Sequence, residues 1–519
     1  MRIPVLDSTL RDGAQGVDVS FSVNDKLAIA QALDDYGVGY IEAGNPGSNP
    51  KDMEFFTRSG ELHLKNSKLT AFGSTRRKDI SAECDPNLRA LLAANTSVVT
   101  IFGKSWDLQA VEILGVTTGE NLLMIKESVS FLKSHGKEVI FDAEHFFDGY
   151  AHNPDYALET LAAAAEAGAD ILCLCDTNGG SLPLTLYETV RAVVKQFPGF
   201  TIGIHTHNDS GCAAANSLLA VDAGAAHIQG TFIGIGERCG NADLSAILPT
   251  LALKTGMEPD GDISKMYAIA RRIAEIANLA VNENKPYVGD NAFSHKGGMH
   301  IDGILKNSAS FEHIEPGAVG NKRRILLSEV VGRGGILEKI KPYAPGLAKD
   351  DPRLTEISQQ IKELEFAGYQ FEAADASFEL LARKILGTFT PHFRLVMYKT
   401  IGEFSPHQDE MPSTATVKVD VNGLTEITAA QGCGPVNALD EALRKALRRF
   451  YPALSEMKLT DYKVRVLDQK SGTAAQVRVL IESGDASGRK WATVGVSDDI
   501  IKASLTALID SIEYTLNNS

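Results

Sequence analysis

The sequence predicts an eight-stranded parallel β/α barrel, followed by a helical segment and a C-terminal α+β domain. Three observations predict this α/β fold class. Up to about residue 250, eight short apolar segments alternate with helical stretches, and eight parallel strands close a TIM barrel. Residues 280–390 then show mostly helical periodicity. From residue 391 onward, strict alternation of apolar and polar residues predicts strands again.

The eight apolar segments are the predicted barrel strands. They cover residues 3–8, 38–43, 69–73, 98–102, 138–143, 170–175, 201–206 and 226–233. Helix starts are marked between them, since Ser22 and Asp25 have the spacing of a capping box. Asn153 before Pro154 has the pattern of an N-cap followed by a first-turn proline. The recurrence predicts one repeated β/α unit.

The C-terminal part repeats one order of elements. Three alternating segments precede a helix at residues 436–450, and three more precede a helix at residues 498–516. This order predicts two β-β-β-α units in tandem. We therefore expect a catalytic barrel over 1–275, a helical linker subdomain over 276–390 and a regulatory or dimerisation domain over 391–519.

Composition argues against several classes of function. A net charge of −15 over 519 residues disfavours binding to nucleic acid or anionic membranes, because both depend on clustered Lys and Arg. No apolar run approaches the roughly 18 residues of a membrane span, and the first residues lack a signal-peptide segment. We expect a cytoplasmic protein that acts on small molecules and keeps its six cysteines reduced.

The sharpest candidate site follows the seventh strand. His205 and His207 are two residues apart, so strand periodicity points both imidazoles to the side of Gly203. In a β/α barrel, reactive groups lie at the C-terminal ends of the strands. Two imidazoles there favour a divalent metal, with a hydrogen-bonded histidine pair as the alternative. Asp12 is the candidate oxygen ligand, and Asn241 could add an amide oxygen.

Other strand ends supply groups for binding and proton transfer. Arg11 can hold a carboxylate or an oxyanion, and Glu42 can anchor it. Thr177 can donate its hydroxyl to a substrate carboxylate, and Glu144 is a candidate base. His300 lies in a glycine-rich stretch outside the barrel. For each of these residues, a purely structural or solvated role is the alternative.

Five segments taken together resemble one enzyme family. They are LDSTLRDGAQ at 6–15, YIEAGNPGSNP at 40–50, HTHND at 205–209, GERCGN at 236–241 and HKGGMHIDG at 295–303. The chain resembles the acyl-CoA condensing branch of the metallolyase barrel superfamily, which includes 2-isopropylmalate, homocitrate and citramalate synthases. The likeness covers essentially the whole length.

Three further segments are most similar to the citramalate synthase subgroup. They are GSNPKD at 47–52, FDAEHFFDGY at 141–150 and GYQFEAADASFELL at 368–381. The resemblance implies condensation of acetyl-CoA with pyruvate and water to (R)-citramalate and CoA, in isoleucine biosynthesis. A 2-isopropylmalate or homocitrate synthase using another 2-oxo acid, a lyase, and a non-catalytic amino-acid sensor are the alternatives.

The resemblance also implies roles for single residues. It implies a zinc, magnesium or manganese ion on four ligands, which are Asp12, His205, His207 and Asn241. It implies an oxyanion-stabilising Arg11 and substrate contacts from Glu42 and Thr177. Glu144 and His300 are implied catalytic residues, with His300 reaching the partner subunit in a homodimer. A branched-chain amino-acid effector is implied at the C-terminal domain.

One departure concerns the base of the reaction. Relatives often have tyrosine before Glu-His-Ile, whereas this chain has Phe311. The missing phenol leaves Glu144 or His300, acting through water, as the candidate bases. Tyr287 and Tyr343 are speculative substitutes.

Overall fold

The structure is a computed structural model that describes residues 2–327, 332–402, 412–468, 472 and 474–518. The chain divides into two compact units. The first contains Met1–Phe293 and Ile314–Arg323, and the second contains Ser294–His313 and Arg324–Ser519. The predicted domain boundaries at 275/276 and 390/391 stay predictions.

A closed barrel of eight parallel strands forms the centre of the first unit and confirms the predicted fold class. We number its strands β1 to β8: Val5–Asp7, Tyr40–Gly44, Lys68–Ser74, Val98–Lys104, Glu138–Glu144, Ile171–Asp176, Thr201–Thr206 and His227–Gly230. Each predicted apolar segment contributes one strand. The barrel closes where β1 pairs in parallel with both β2 and β8.

The first and the last barrel strands are several residues shorter than predicted. The first apolar segment divides at Pro4, which has no N–H to donate to a ladder. Ile3, the first residue of the segment, belongs with Arg2 to a short strand that pairs with Glu258–Pro259 outside the barrel. The last segment ends early, because Ile233 adopts a left-handed φ of 55° and turns the chain.

Ten helices belong to the first unit. They are α1 to α10: Val23–Tyr36, Pro50–Arg58, Pro86–Ala93, Thr118–Ser134, Phe146–His152, Pro154–Glu166, Pro183–Gln196, Ala213–Asp222, Leu244–Thr250 and Met266–Ile276. The predicted capping box is present, since Ser22 and Asp25 satisfy each other's backbone N–H. Asn153 caps α6 and accepts from the Tyr156 N–H. These local signals therefore fix where the helices begin.

The second unit begins with a short strand, Ser294–His295, that pairs in parallel with Arg324–Ile325. Helices follow, and two antiparallel sheets end the unit. Its helices α11 to α14 are Gly298–Lys306, Arg333–Ile340, Pro352–Phe366 and Asp375–Leu386. Strands β9 to β14 follow: Arg394–Gly402, Ser413–Val421, Leu424–Gly432, Lys458–Val466, Val477–Gly484 and Lys490–Ser497. Helix α15, Pro435–Arg448, follows the first three strands, and α16, Ile500–Asn517, follows the last three. Both sheets are antiparallel, so the predicted β-β-β-α repeat is confirmed.

No helix in the described part of the chain has both the length and the apolar character needed to cross a membrane.

Candidate active site

The two candidate histidines lie at the C-terminal end of β7 and face the barrel interior. His205 is in the strand, and His207 follows it and pairs with Asn241 through an antiparallel bridge. Between them, Thr206 faces the opposite way and bonds the Ala213 carbonyl at the start of α8, at 3.1 Å. Strand alternation therefore places both imidazoles on one side, as predicted.

Three ligand-type atoms converge at this point. Asp12 Oδ2 lies 3.3 Å from His205 Nε2 and 3.7 Å from His207 Nε2. The two Nε2 atoms are 3.3 Å apart. All three residues are buried. The point equidistant from the three atoms lies about 2.0 Å from each, which matches the zinc–nitrogen distance of about 2.0–2.1 Å. The donor set therefore fits a divalent metal ion.

The orientation of His205 is set by residues behind it. Its Nδ1 lies 3.0 Å from Gln229 Oε1, an atom that can only accept. Gln229 Nε2 in turn donates to Asp142 Oδ1 at 2.8 Å. Nδ1 must therefore carry a proton, so in the neutral form of His205 the Nε2 lone pair faces Asp12 and His207. Such outer hydrogen bonds orient metal-ligating histidines.

Asn241 reaches the same cluster from the loop after β8. Its Nδ2 donates to Asp12 Oδ2 at 2.9 Å, while its buried Oδ1 has no hydrogen-bond partner. The amide nitrogen, rather than the predicted oxygen, faces the cluster. A half-turn of the amide exchanges the two atoms, so Asn241 can bind a metal through Oδ1 only after that rotation.

Arg11 is held rigidly beside Asp12. Its Nε donates to Glu42 Oε2 at 2.7 Å, and its guanidinium lies 3.9 Å above the ring of Phe72. Ser8 donates to the same Glu42 oxygen at 2.5 Å. Burial opposes the charge on Arg11, but Asp12 and Glu42 outweigh it and raise its pKa. Arg11 is therefore a fixed cation at the barrel mouth.

Electrostatics favour the metal-binding states of Asp12 and His207. For His205, burial opposes the protonated form, but the hydrogen bond and charge of Asp12 outweigh it and raise its pKa. Burial alone would raise the pKa of Asp12, but Arg11 and His205 outweigh it and lower that pKa. Burial, assisted by His205, lowers the pKa of His207 to about 4. At neutral pH the site therefore presents a carboxylate and a neutral imidazole, which are the forms that bind metals.

Thr177 and Glu144 come from neighbouring strand ends. The backbone N–H of His145 donates to Thr177 Oγ1 at 2.8 Å, so the hydroxyl proton of Thr177 stays available for another acceptor. The Glu144 carboxylate forms an ion pair with Lys104 at the end of β4. His145 adopts a left-handed φ of 58° at this turn.

These side chains surround one cavity of about 280 Å³ at the barrel mouth. Six predicted site residues line it, namely Arg11, Asp12, Glu144, Thr177, His205 and His207. Glu42 and Asn241 lie behind this lining, and Glu42 contacts the cavity through Arg11. The volume suits a small organic acid and part of a larger co-substrate.

His300 belongs to the second unit. It lies exposed on α11, and its ring stacks on Phe311 with centroids 4.2 Å apart. Neither of the two speculative tyrosines lines the cavity. The Tyr287 hydroxyl bonds the Thr250 hydroxyl at 2.8 Å, and the Tyr343 hydroxyl is buried. The catalytic role of His300 stays a prediction.

Several residues at the site were not predicted from the sequence. Asp142 and Cys175 lie within strands and line the cavity, and Gln229 supports His205 from β8. They lie within the strands, whereas the predicted site residues were taken mainly from the strand ends. The signal was a polar residue within an otherwise apolar strand, as at Asp142 and Gln229. Arg238 also lines the cavity and donates to both oxygens of Asp209.

Family comparisons divide the chain into three consecutive matches. An HMGL-like model matches residues 2–273, and a homocitrate synthase post-HMGL domain-like model matches residues 287–368. A LeuA allosteric (dimerisation) domain model matches residues 372–516.

Individual relatives match along almost their whole length. An (R)-citramalate synthase of Geobacter sulfurreducens is 51% identical, over 100% of this chain and 98% of that protein. An (R)-citramalate synthase of Aquifex aeolicus is 50% identical, over 99% and 98%. A 2-isopropylmalate synthase of Methanocaldococcus jannaschii is 31% identical, over 99% and 95%. With an acidic, histidine-containing site at the mouth of an HMGL-like barrel, the chain belongs to the (R)-citramalate synthase family of acyltransferases.

Proposed function

We propose that this protein condenses acetyl-CoA with pyruvate and water to give (R)-citramalate and CoA, as a cytoplasmic step of isoleucine biosynthesis. The observation that carries the proposal is full-length identity of about half to proteins named (R)-citramalate synthase. The 2-isopropylmalate synthase relative is much less similar, at 31% identity. The cavity at the barrel mouth supplies the groups that the reaction needs.

The proposed ligands of a divalent ion are Asp12, His205 and His207, together with Asn241 after rotation of its amide. Zinc suits the nitrogen ligands, while magnesium or manganese suits a more oxygen-rich sphere. Such an ion supplies Lewis-acid polarisation of the 2-oxo acid's carbonyl. Gln229 keeps the His205 lone pair directed at the ion's position.

Arg11 is the proposed stabiliser of the developing oxyanion. Its Nε is occupied by Glu42, and the ring of Phe72 covers one face of the guanidinium. The remaining N–H groups at the cavity are donors fixed before the reaction, which is how preorganised donors lower a barrier. Thr177 binds the substrate carboxylate with the proton that its hydroxyl retains.

Glu144 and His300 are the proposed catalytic acid–base residues. A base must remove a proton from the weakly acidic methyl group of acetyl-CoA. Glu144 faces the cavity in an ion pair with Lys104. His300, which stacks on Phe311 in the second unit, is proposed to reach the active site of the partner subunit.

The C-terminal domain is the proposed site of dimerisation and of feedback by a branched-chain amino acid. The match to a LeuA allosteric (dimerisation) domain supports this role. A chain truncated before residue 391 should keep metal binding and lose inhibition by isoleucine or leucine. Inhibition that survives the truncation would refute an effector site in this domain.

The test of the function is release of CoA thiol by the full-length protein. Acetyl-CoA is supplied with pyruvate, 2-oxoisovalerate, 2-oxoglutarate or oxaloacetate, before and after chelation of divalent metals. Metal-dependent release selective for pyruvate is the expected result. Selectivity for another acid would keep the chemistry and change the substrate. Absence of turnover with every acid, together with thermal stabilisation by isoleucine, would instead support a non-catalytic sensor.

A further inference from the structure

A second cluster of ligand-type atoms lies in the barrel interior, separate from Asp12, His205 and His207. It consists of Asp142 on β5 and of Cys173 and Cys175 on β6. One carboxylate oxygen and the two sulfur atoms all lie within 4.8 Å of one another, and all three residues are buried. The proposed reaction uses none of them.

Sheet register explains why the three side chains meet. Asp142 is paired directly with Cys173 across the two parallel strands. Cys173 and Cys175 are two residues apart on one strand, so both point to the barrel interior. Cys173 packs there beside Ile140 and Ile171. The cluster is therefore built by the strands and not by a loop.

A disulfide does not account for the two thiols. Residues two apart on a strand have Cα atoms about 6.6 Å apart, which is at the upper limit for a disulfide. Both cysteines are free in the structure. Two thiols with a carboxylate are instead a ligand set that soft, tetrahedral cations prefer.

The cluster is accessible from the proposed active site. Asp142 and Cys175 line the cavity at the barrel mouth, whereas Cys173 is fully buried behind them. An ion that enters the cavity therefore meets one carboxylate and one thiol first. Such an entry path is a requirement for any buried metal site.

We propose that Asp142, Cys173 and Cys175 form a second, inhibitory site for a thiophilic divalent cation such as cadmium or excess zinc. Binding replaces the two thiol protons, which pass to solvent, and leaves a cation held by two thiolates and a carboxylate. The oxidation state of sulfur and metal does not change.

Occupancy of this site is coupled to the catalytic cluster through one side chain. Gln229 donates to Asp142 at 2.8 Å and accepts from His205 Nδ1 at 3.0 Å. A cation that draws Asp142 toward the sulfur atoms displaces Gln229 and so disturbs His205. We therefore expect thiophilic cations to lower kcat.

The test is a cadmium titration of the full-length protein. Binding is measured from the ultraviolet charge-transfer band of cadmium–thiolate bonds. The background protein carries serine at the other four cysteines, which are Cys84, Cys212, Cys239 and Cys433. This band reports sulfur ligation and is silent for ions bound to His205 and His207. We expect a band that saturates at one cadmium per chain.

Single variants then assign the ligands. Cys173→Ser and Cys175→Ser should each abolish or strongly weaken the band, and Asp142→Asn should weaken it. Melting temperatures show that each variant is folded. The Cys173→Ser variant, whose changed side chain does not line the cavity, should also be inhibited less by cadmium. A background protein without the band, or a band that persists after both serine substitutions, would overturn the proposal.

Discussion

Three buried histidines lie in the interior of one barrel, two at its mouth and one near its floor. His205 and His207 are 5% and 6% exposed, and His227 at the start of β8 is 0% exposed. At the mouth, the Nε2 atoms of the pair approach each other and the carboxylate of Asp12. At the floor, neither ring nitrogen of His227 has a hydrogen-bond partner, and its ring lies edge-on to Tyr40.

Burial has the same electrostatic effect at both levels, but the surroundings differ. It lowers the pKa of His207 to about 4 and that of His227 to about 3. Both imidazoles are therefore neutral at pH 7. Only the mouth pair has a carboxylate and a buried amide converging on it. Convergence of partners, rather than burial or a shifted pKa, therefore distinguishes the candidate metal ligands from the floor histidine.

Apart from loss of the metal itself, the largest effect should come from removal of Arg11, the guanidinium beside the mouth pair. Arg11→Ala removes donors directed at the developing oxyanion, so kcat should fall by about 10²–10³-fold. Steady-state kinetics with pyruvate measure the change. Arg58→Ala is the matched control, because Arg58 also binds a carboxylate, that of Glu61, but on the surface. An Arg11→Ala variant with unchanged kcat would remove Arg11 from the mechanism.

A smaller effect is expected when the support of His205 is removed. Gln229→Leu deletes the acceptor of Nδ1–H and should weaken metal affinity about 10–100-fold, as losses of such outer partners do. Metal competition with a chelator measures the affinity. Thr70→Val is the control, because it removes another buried barrel hydrogen bond, to Thr100, far in sequence from the ligands. Equal affinity in the two variants would contradict the orienting role of Gln229.

The floor histidine should affect stability rather than activity. The unfolded chain binds a proton at His227 below a pKa of about 6.5, whereas the folded protein does so only below about 3. The free energy of unfolding should therefore decrease as pH falls between these values, by about 1.4 kcal/mol per pH unit. The free energy of unfolding is compared with its value at pH 8, where His227 is neutral in both states. His227→Leu should make its decrease between pH 6 and pH 4 smaller by about 1.4 kcal/mol per pH unit. Denaturant titrations at each pH measure this free energy. If it depends on pH equally in both proteins, His227 is protonated or hydrated in the folded state.

The sequence was sufficient to predict the barrel and the convergence at its mouth, because both depend on local rules. Strand periodicity placed His205 and His207 on one side, and strand ends placed Asp12 beside them. The support of the site depends on long-range packing and was not predicted. Gln229 and Asp142 are 87 positions apart in the chain and meet only in the closed barrel. Likewise, no local pattern shows which atom of the Asn241 amide faces the cluster.

The central claim is that the mouth histidines hold a divalent ion on which turnover depends. The most direct measurement compares metal content and CoA release for His207→Ala and for its matched floor variant, His227→Leu, after both have been shown to be folded. We expect His207→Ala to lose bound metal and turnover and His227→Leu to keep both. A His207→Ala protein that retains metal and turnover would show that the mouth histidines do not hold a metal on which turnover depends.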